Sequence, residues 1–270
     1  MELSTPSRIL LGLCLSGLAT VSYAAEQRDI GLSETEGYSA SVGLEYESGD
    51  YGTSATTNLW RVPVGIDYVK GALSAGVNTA FLSAKSNGAI TISSMTHMTS
   101  VTTSSAAVGS ASGIGDINMY ATYQLPNTKG SDISYHITGR IKLGTADEKK
   151  GLGTGENDYA IEGGMLMLYK KVFVFGNLGY QITGDSATVN YDDVLYANAG
   201  ATYPMEKGRS IGAMLEVSQA ATPGFDSPAQ VTLFLNQEMD KKRDLYFYVL
   251  LGLTDGSPDT GVGVHVTYKL

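Results

Sequence analysis

From residue 38 to the last residue, apolar and polar positions alternate with period two. In the final segment Val262, Val264, Val266, Tyr268 and Leu270 share one face, and Gly263, His265, Thr267 and Lys269 share the other. Period two is the signature of a strand. Eleven earlier segments repeat it, with apolar faces running Tyr38–Tyr46, Trp60–Tyr68, Leu73–Phe81, Ile117–Leu125, Ile133–Leu143, Tyr159–Tyr169, Val172–Ile182, Leu195–Tyr203, Ile211–Val217, Val231–Met239 and Leu245–Leu253. None of these faces carries a charge, and each segment holds about ten residues, enough to cross a bilayer at a tilt. Tyrosine or tryptophan sits at many of the ends, where a ring with one dry and one wet side belongs at a membrane interface.

Connections alternate in length. Short ones stand at Lys70-Gly71, 126–132, Lys170-Lys171, 204–209 and 240–244, and the others are longer. A soluble sandwich shares the alternation, but not the charge-free faces, the ring placement and the rhythm of turns together. The pattern predicts an all-β protein: a transmembrane antiparallel up-and-down β-barrel of about twelve strands, with N- and C-termini periplasmic. Pro63 would lose a ladder bond inside such a barrel, so a bulge or gap is expected there. The longest connection, 83–113, is rich in Ser and Thr. It reads either as an outer loop extending the neighbouring strands as a hairpin or as a segment folded into the lumen.

The start of the chain fits export. Arg8 precedes an apolar run, Ile9 to Val21, and Ser22 and Ala24 shape a cleavage site after Ala24 or Ala25. The expected organisation is a signal peptide over 1–24, a short periplasmic segment over 25–37 and a barrel over 38–270, placed in the bacterial outer membrane. Cys14 is the only cysteine, so the exported part has no disulfide. Glu2 and Arg8 cancel within the leader, and the net charge stays at -9. This balance argues against nucleic acid, which needs basic patches.

Candidate chemistry is sparse. His97, His136 and His265 assemble no nucleophile and base, so the chain is read as not an enzyme. Loop acids Asp185, Asp192, Asp193, Asp255 and Asp259 lack the spacing of a calcium loop. No metal and no cofactor is implied. The polar faces are more informative. They turn Glu45, Arg61, Asp67, Asp116, Asn118, His136, Arg140, Lys142, Glu162, Asn177, Gln181, Asn198, Glu216, Asn236 and Glu238 inward. Of these, Arg61, Asp116, His136, Arg140, Lys142, Glu162 and Glu216 are the candidate pore-lining residues. Arg61, Arg140 and Lys142 near Asp116 and Glu162 would set a transverse field. Gly43, Gly65, Gly76, Gly164 and Gly179 also point inward and are expected to leave space. Twelve strands lie between a filled eight-strand barrel and an aqueous sixteen-strand one.

Ser112-Gly-Ile-Gly-Asp116 opens one strand; Lys142-Leu-Gly-Thr145 closes the next and is followed by Gly151-Leu-Gly-Thr-Gly155. This order resembles the outer-membrane transporter-like proteins of the meta-pathway phenol-degradation family. Two departures are Gly144, where that family usually has Pro, and Leu270 in place of a terminal Phe. The resemblance implies a barrel that passes small, often aromatic or apolar, compounds. Expected partners are outer-membrane lipid, a small-molecule solute and the barrel-assembly machinery during insertion. The rival expectation is a non-conducting structural or surface-exposed barrel with a closed, mixed-charge lumen.

Overall fold

A computed structural model describes residues 9–11, 21–23, 33–86, 91–93, 100–102, 109–127, 131–186 and 189–270. Twelve strands form the wall: β1 (Ser33–Gly49), β2 (Thr57–Gly71), β3 (Leu73–Ser86), β4 (two collinear parts, Ser110–Ile114 and Ile117–Gln124), β5 (Ile133–Leu143), β6 (Asp158–Tyr169), β7 (Val172–Ile182), β8 (Val194–Met205), β9 (Arg209–Ser218), β10 (Ala229–Glu238), β11 (Arg243–Gly252) and β12 (Thr260–Lys269). Each pairs antiparallel with its chain neighbours, and β12 returns to β1 through pairs such as Val266 with Val42 and His265 with Gly43. The sheet therefore closes, leaving no strand edge, as a bilayer requires of β-structure. Two small ladders stand apart: Ile9–Leu11 with Val21–Tyr23, and Thr91–Ser93 with Ser100–Thr102.

The strands outrun their expected ends. β1 begins at Ser33 rather than Tyr38, with a register shift between Ser33 and Gly37, and β3 continues past Phe81 to Ser86. At Pro63 the β1–β2 ladder is interrupted: Val42 pairs Val64 and Glu45 pairs Arg61 in one register, with no pair between. The missing N–H leaves a gap without a bulge. A bulge does occur in β4. Phe81 pairs Ile114 and Asn78 pairs Asn118, so Gly115, Asp116 and Ile117 face only Thr79 and Ala80. There Gly115 N–H donates to the Ala80 carbonyl at 2.8 Å.

The outside is an apolar belt. Val42, Val64, Ile137, Ile161, Leu178, Leu233, Val249 and Val264 all stand exposed. Rings bound the belt at both ends. Tyr38, Tyr68, Tyr123, Tyr135, Tyr169, Tyr203 and Tyr268 mark the end with short turns; Tyr46, Trp60, Tyr159 and Tyr180 mark the end with long loops. Tyr38 packs against Tyr68 with ring centroids 4.7 Å apart and Tyr46 against Trp60 at 4.8 Å, both pairs tilted. Tyr38 and Tyr46 are eight residues apart, about 26 Å of strand. Tilted by about 35–45°, a strand of that length rises roughly 20 Å, and the rings at its two ends complete an apolar band about 25 Å tall.

Inside, glycines do not leave the open space expected of them. Gly43 faces His265, Gly76 faces Tyr120, Gly164 faces His136 and Gly179 faces Tyr196 across the ladders, and a Cβ on each would collide with the facing ring. Gly200 with Phe175, Gly212 with Phe234 and Gly263 with Tyr248 repeat the arrangement. Each ring occupies the space that a side chain on the facing glycine of the next strand would need.

Candidate functional site

The interior divides into a charged wall and a ring-covered wall. The charged wall begins where Glu45 and Arg61 sit opposite each other in the β1–β2 ladder. Arg61 Nε donates to Glu45 at 2.7 Å, its Nη2 reaches Glu47, and His265 Nε2 lies 3.0 Å from Glu45. On β5, Arg140 meets Glu162 of β6 at 3.2 Å, and its guanidinium lies 5.9 Å from the Tyr120 ring centroid. Tyr120 in turn donates its hydroxyl to Asp67 at 2.6 Å.

One turn of wall nearer the long loops, Lys142 is fully buried. It contacts Asp158 at 2.8 Å, Asp116 at 3.7 Å and the Thr154 hydroxyl at 3.2 Å. This cluster explains the glycine-rich motifs. Asp116, placed by the β4 bulge, accepts the Ala146 N–H at 2.9 Å. Gly153 packs on the Asp116 carboxylate, and Gly144 lies against the backbone of Gly155, leaving no room for a side chain at either. Gly155 has φ +76, a left-handed conformation that glycine adopts without strain. The motif residues thus fold the 144–157 connection back into the barrel mouth. Leu152 and Ala146 of that connection join Tyr51, Leu59, Leu82, Ala84, Ile92 and Ala111 in a buried apolar cluster.

Part of the longest connection takes part. Thr91–Ser93 and Ser100–Thr102 make the hairpin ladder that an extended loop implies, while Ile92 is buried in the mouth and its N–H donates to Gly151 at 3.0 Å. His97 and Ser104 lie outside the described residues. Among the described residues no cluster of three or more metal-ligating side chains occurs. Asp193 and Asp185 are used in local loop bonds, to Thr183 N–H and Tyr191 N–H.

The opposite wall is apolar and aromatic. Leu166, Phe173, Phe175, Met214, Phe234, Tyr248 and Leu250 form a second buried cluster, with Leu168 and Tyr246 against it. Between the two walls lies a cavity of about 110 Å³, several times the ~10–15 Å³ that one water needs. Arg61, Asp116, Arg140 and Glu216 of the anticipated residues border it, together with Tyr246, Tyr248 and Leu250. Lys142, Glu162 and His136 face inward but stand off this cavity: Lys142 is sealed among Asp116, Asp158 and Thr154, Glu162 lies with Arg140, and His136 lies over Gly164. Arg61 departs from the expected transverse grouping, because its partners are Glu45 and Glu47 rather than Asp116 and Glu162. Glu47 and Asp158 escape a sequence reading that ends β1 at Tyr46 and starts β6 at Tyr159. Both share the inward parity of Glu45 and Glu162, the signal that could have found them.

Residues 34–270 match the family described as "Putative MetA-pathway of phenol degradation". The chain belongs to this family. No match was found among curated proteins. Among solved structures, an outer membrane channel from Pseudomonas putida F1 superposes with a TM-score of 0.68 at 13% identity, over 92% of this chain and 100% of that one. The NanC porin gives 0.53 at 10% identity, over 86% and 100%, and the KdgM porin in complex with disordered oligogalacturonate gives 0.52 at 11% identity, over 85% and 99%. At such identities the likeness is one of fold. The chain shares the closed antiparallel barrel fold of outer-membrane channels and porins.

Proposed function

We propose that this barrel is a passive outer-membrane channel for small solutes with an apolar or aromatic body. The observation that carries the reading is the cavity between the two walls: rings and aliphatic side chains on one side, and most of the fixed charges on the other. An apolar body gains from the first surface, and a polar end is oriented by the second. The long loops are taken as external and the short turns as periplasmic, with residues 1–24 removed on export. A tag near Ser104 should then be reached by antibody on intact cells and one near Lys207 should not.

The test is reconstitution of the full barrel in planar bilayers and in liposomes loaded for solute flux. Arg140→Ala should lower heat resistance, because Glu162 loses its partner, and in the barrel that still assembles it should alter conductance or ion preference, because one fixed charge at the cavity wall is gone. A second reading, a non-conducting barrel, draws support from the apolar cluster that closes over Tyr51, Ile92 and Leu152 at the mouth. No current and no flux, with or without Arg140, would establish that second reading instead.

A further inference from the structure

The carboxylates bordering the cavity are not equivalent. Glu45 and Glu47 share Arg61, and Glu45 also has His265. Asp116 lies by Lys142, and the second cavity cation, Arg140, is held by Glu162. Glu216, near the long-loop end of β9, has no cation within ion-pair distance among the described residues. It is 3% exposed, and its Oε2 accepts Gln230 Nε2 at 2.9 Å and the Thr232 hydroxyl at 3.5 Å. A buried carboxylate without a counter-charge costs stability.

Gln230 supplies an independent observation. It is 1% exposed, borders the same cavity, and its Oε1 has no hydrogen-bond donor. Turning the amide over would set Oε1 against the Glu216 carboxylate and lose the bond that Nε2 makes there. The site therefore offers two kinds of acceptor, the Glu216 carboxylate and Gln230 Oε1, on one side of the cavity. Tyr246 and Tyr248, 5.7 Å apart between ring centroids, border the same space and present faces that attract cations.

We propose that Glu216 and Gln230 form an ammonium-binding subsite, so that the cavity takes organic amines with an apolar or aromatic body. The inference rests on the channel reading and narrows its solute class. The ammonium donates hydrogen bonds to Glu216 and to Gln230 Oε1, and the body lies along Tyr246, Tyr248 and Leu250.

The test is calorimetric titration of the purified full chain in detergent with 2-phenylethylammonium, 2-phenylethanol and 3-phenylpropionate, three probes with one ring and different ends. The ammonium should bind at least about tenfold tighter than the alcohol, the size of one charge-assisted contact, and the carboxylate should bind weakest. Glu216→Gln should remove the ammonium's advantage over the alcohol, while Glu216→Asp should keep part of it. Folding of each variant is read from heat-modifiable migration on gels. Should Glu216→Gln fail to fold, the ranking of the three probes on the wild-type chain decides alone. Equal binding of ammonium and alcohol, or unchanged ammonium affinity in folded Glu216→Gln, would overturn the subsite. Binding needs no passage, so ammonium preference in a barrel without flux would sink the channel and spare the subsite. Flux without preference would do the reverse.

Discussion

The charged wall and the ring-covered wall solve one problem in two ways. Both turn side chains into a barrel whose outside belongs to lipid. The charged wall, on β1, β2 and β4–β6, buries ions in pairs and clusters, and every member depends on another. The ring-covered wall, on β6–β11, buries most of its side chains as rings over glycines of neighbouring strands, units that depend on local fit, and carries one cavity carboxylate, Glu216. The difference predicts how each wall fails. Removing one ion should be costly and felt at a distance, through the loop it holds. Removing the fit of one ring should be cheap in stability and felt in the cavity.

Lys142→Ala carries the largest expected effect. It would leave Asp158, which is fully buried, and Asp116, which holds Ala146 N–H, without their shared cation. Breaking a buried ion cluster by removing one partner costs about 3–5 kcal/mol. The folded barrel should lose its heat-resistant gel migration at a lower temperature, and protease should cut the 144–157 connection. Unchanged heat resistance would mean that the cluster does not hold the mouth.

Next in size is a test of the wall's two faces. Val266 points to lipid and Thr267 points inward, opposite Asp244 in the ladder. Val266→Arg should cost about 2–4 kcal/mol near the midplane and lower the amount of assembled barrel. Thr267→Arg places the same charge beside a carboxylate and should assemble better. Equal membrane levels of the two variants would invalidate the face assignment.

That assignment was legible because lipid forbids charge on one face, and period two then fixes the other. Inward placement of Glu45, Arg61, Arg140, Glu162 and Glu216 follows from parity alone. What parity does not carry is register. Arg61 meets Glu45 because the two are opposite in the β1–β2 ladder, and nothing local announces that alignment. Glu47 and Asp158 lie just past the expected strand ends, where the strands continue beyond the membrane into the mouth. The ring-covered wall was written in near-continuous apolar runs, Val172–Phe175 and Leu245–Leu251. In a wall with lipid outside, such a run means that the inside is apolar too. Alternation that marks the inner face as polar does not reveal these inward rings.

A smaller effect should follow from Gly263→Ala. The added methyl would collide with the Tyr248 ring that covers this glycine. Gly263 sits in regular β12 strand, so its backbone accepts alanine and the strain falls on the ring, which must turn off the wall. Tyr248 borders the cavity, so the passage should narrow. Single-channel conductance should drop while heat resistance changes little. Gly139→Ala is the control, since nothing lies within 4 Å of the position its Cβ would take. Equal conductance in the two variants would show that the ring–glycine pairs do not shape the lumen.

The smallest effect belongs to an ion pair with the same chemistry as the charged wall and none of its burial. In the turn between β10 and β11, Asp240 accepts N–H bonds from Lys242 and Arg243, both at 2.9 Å, and its other oxygen meets Arg243 Nη2 at 2.6 Å. The Arg243 hydrogen bond, with the Lys242 N–H next, holds the Asp240 carboxyl below its usual range. A carboxyl held low in the folded state stabilises it above the unfolded value, and that contribution is lost as pH falls through the folded one. Water and salt screen so exposed a pair. Asp240→Asn should therefore leave heat resistance at neutral pH nearly unchanged. The variant and the parent should converge fully in acid, where Asp240 is protonated in both states. A loss in Asp240→Asn comparable to that in Lys142→Ala would mean that burial is not what separates the two regions, and the account of the charged wall would have to be rebuilt on geometry alone.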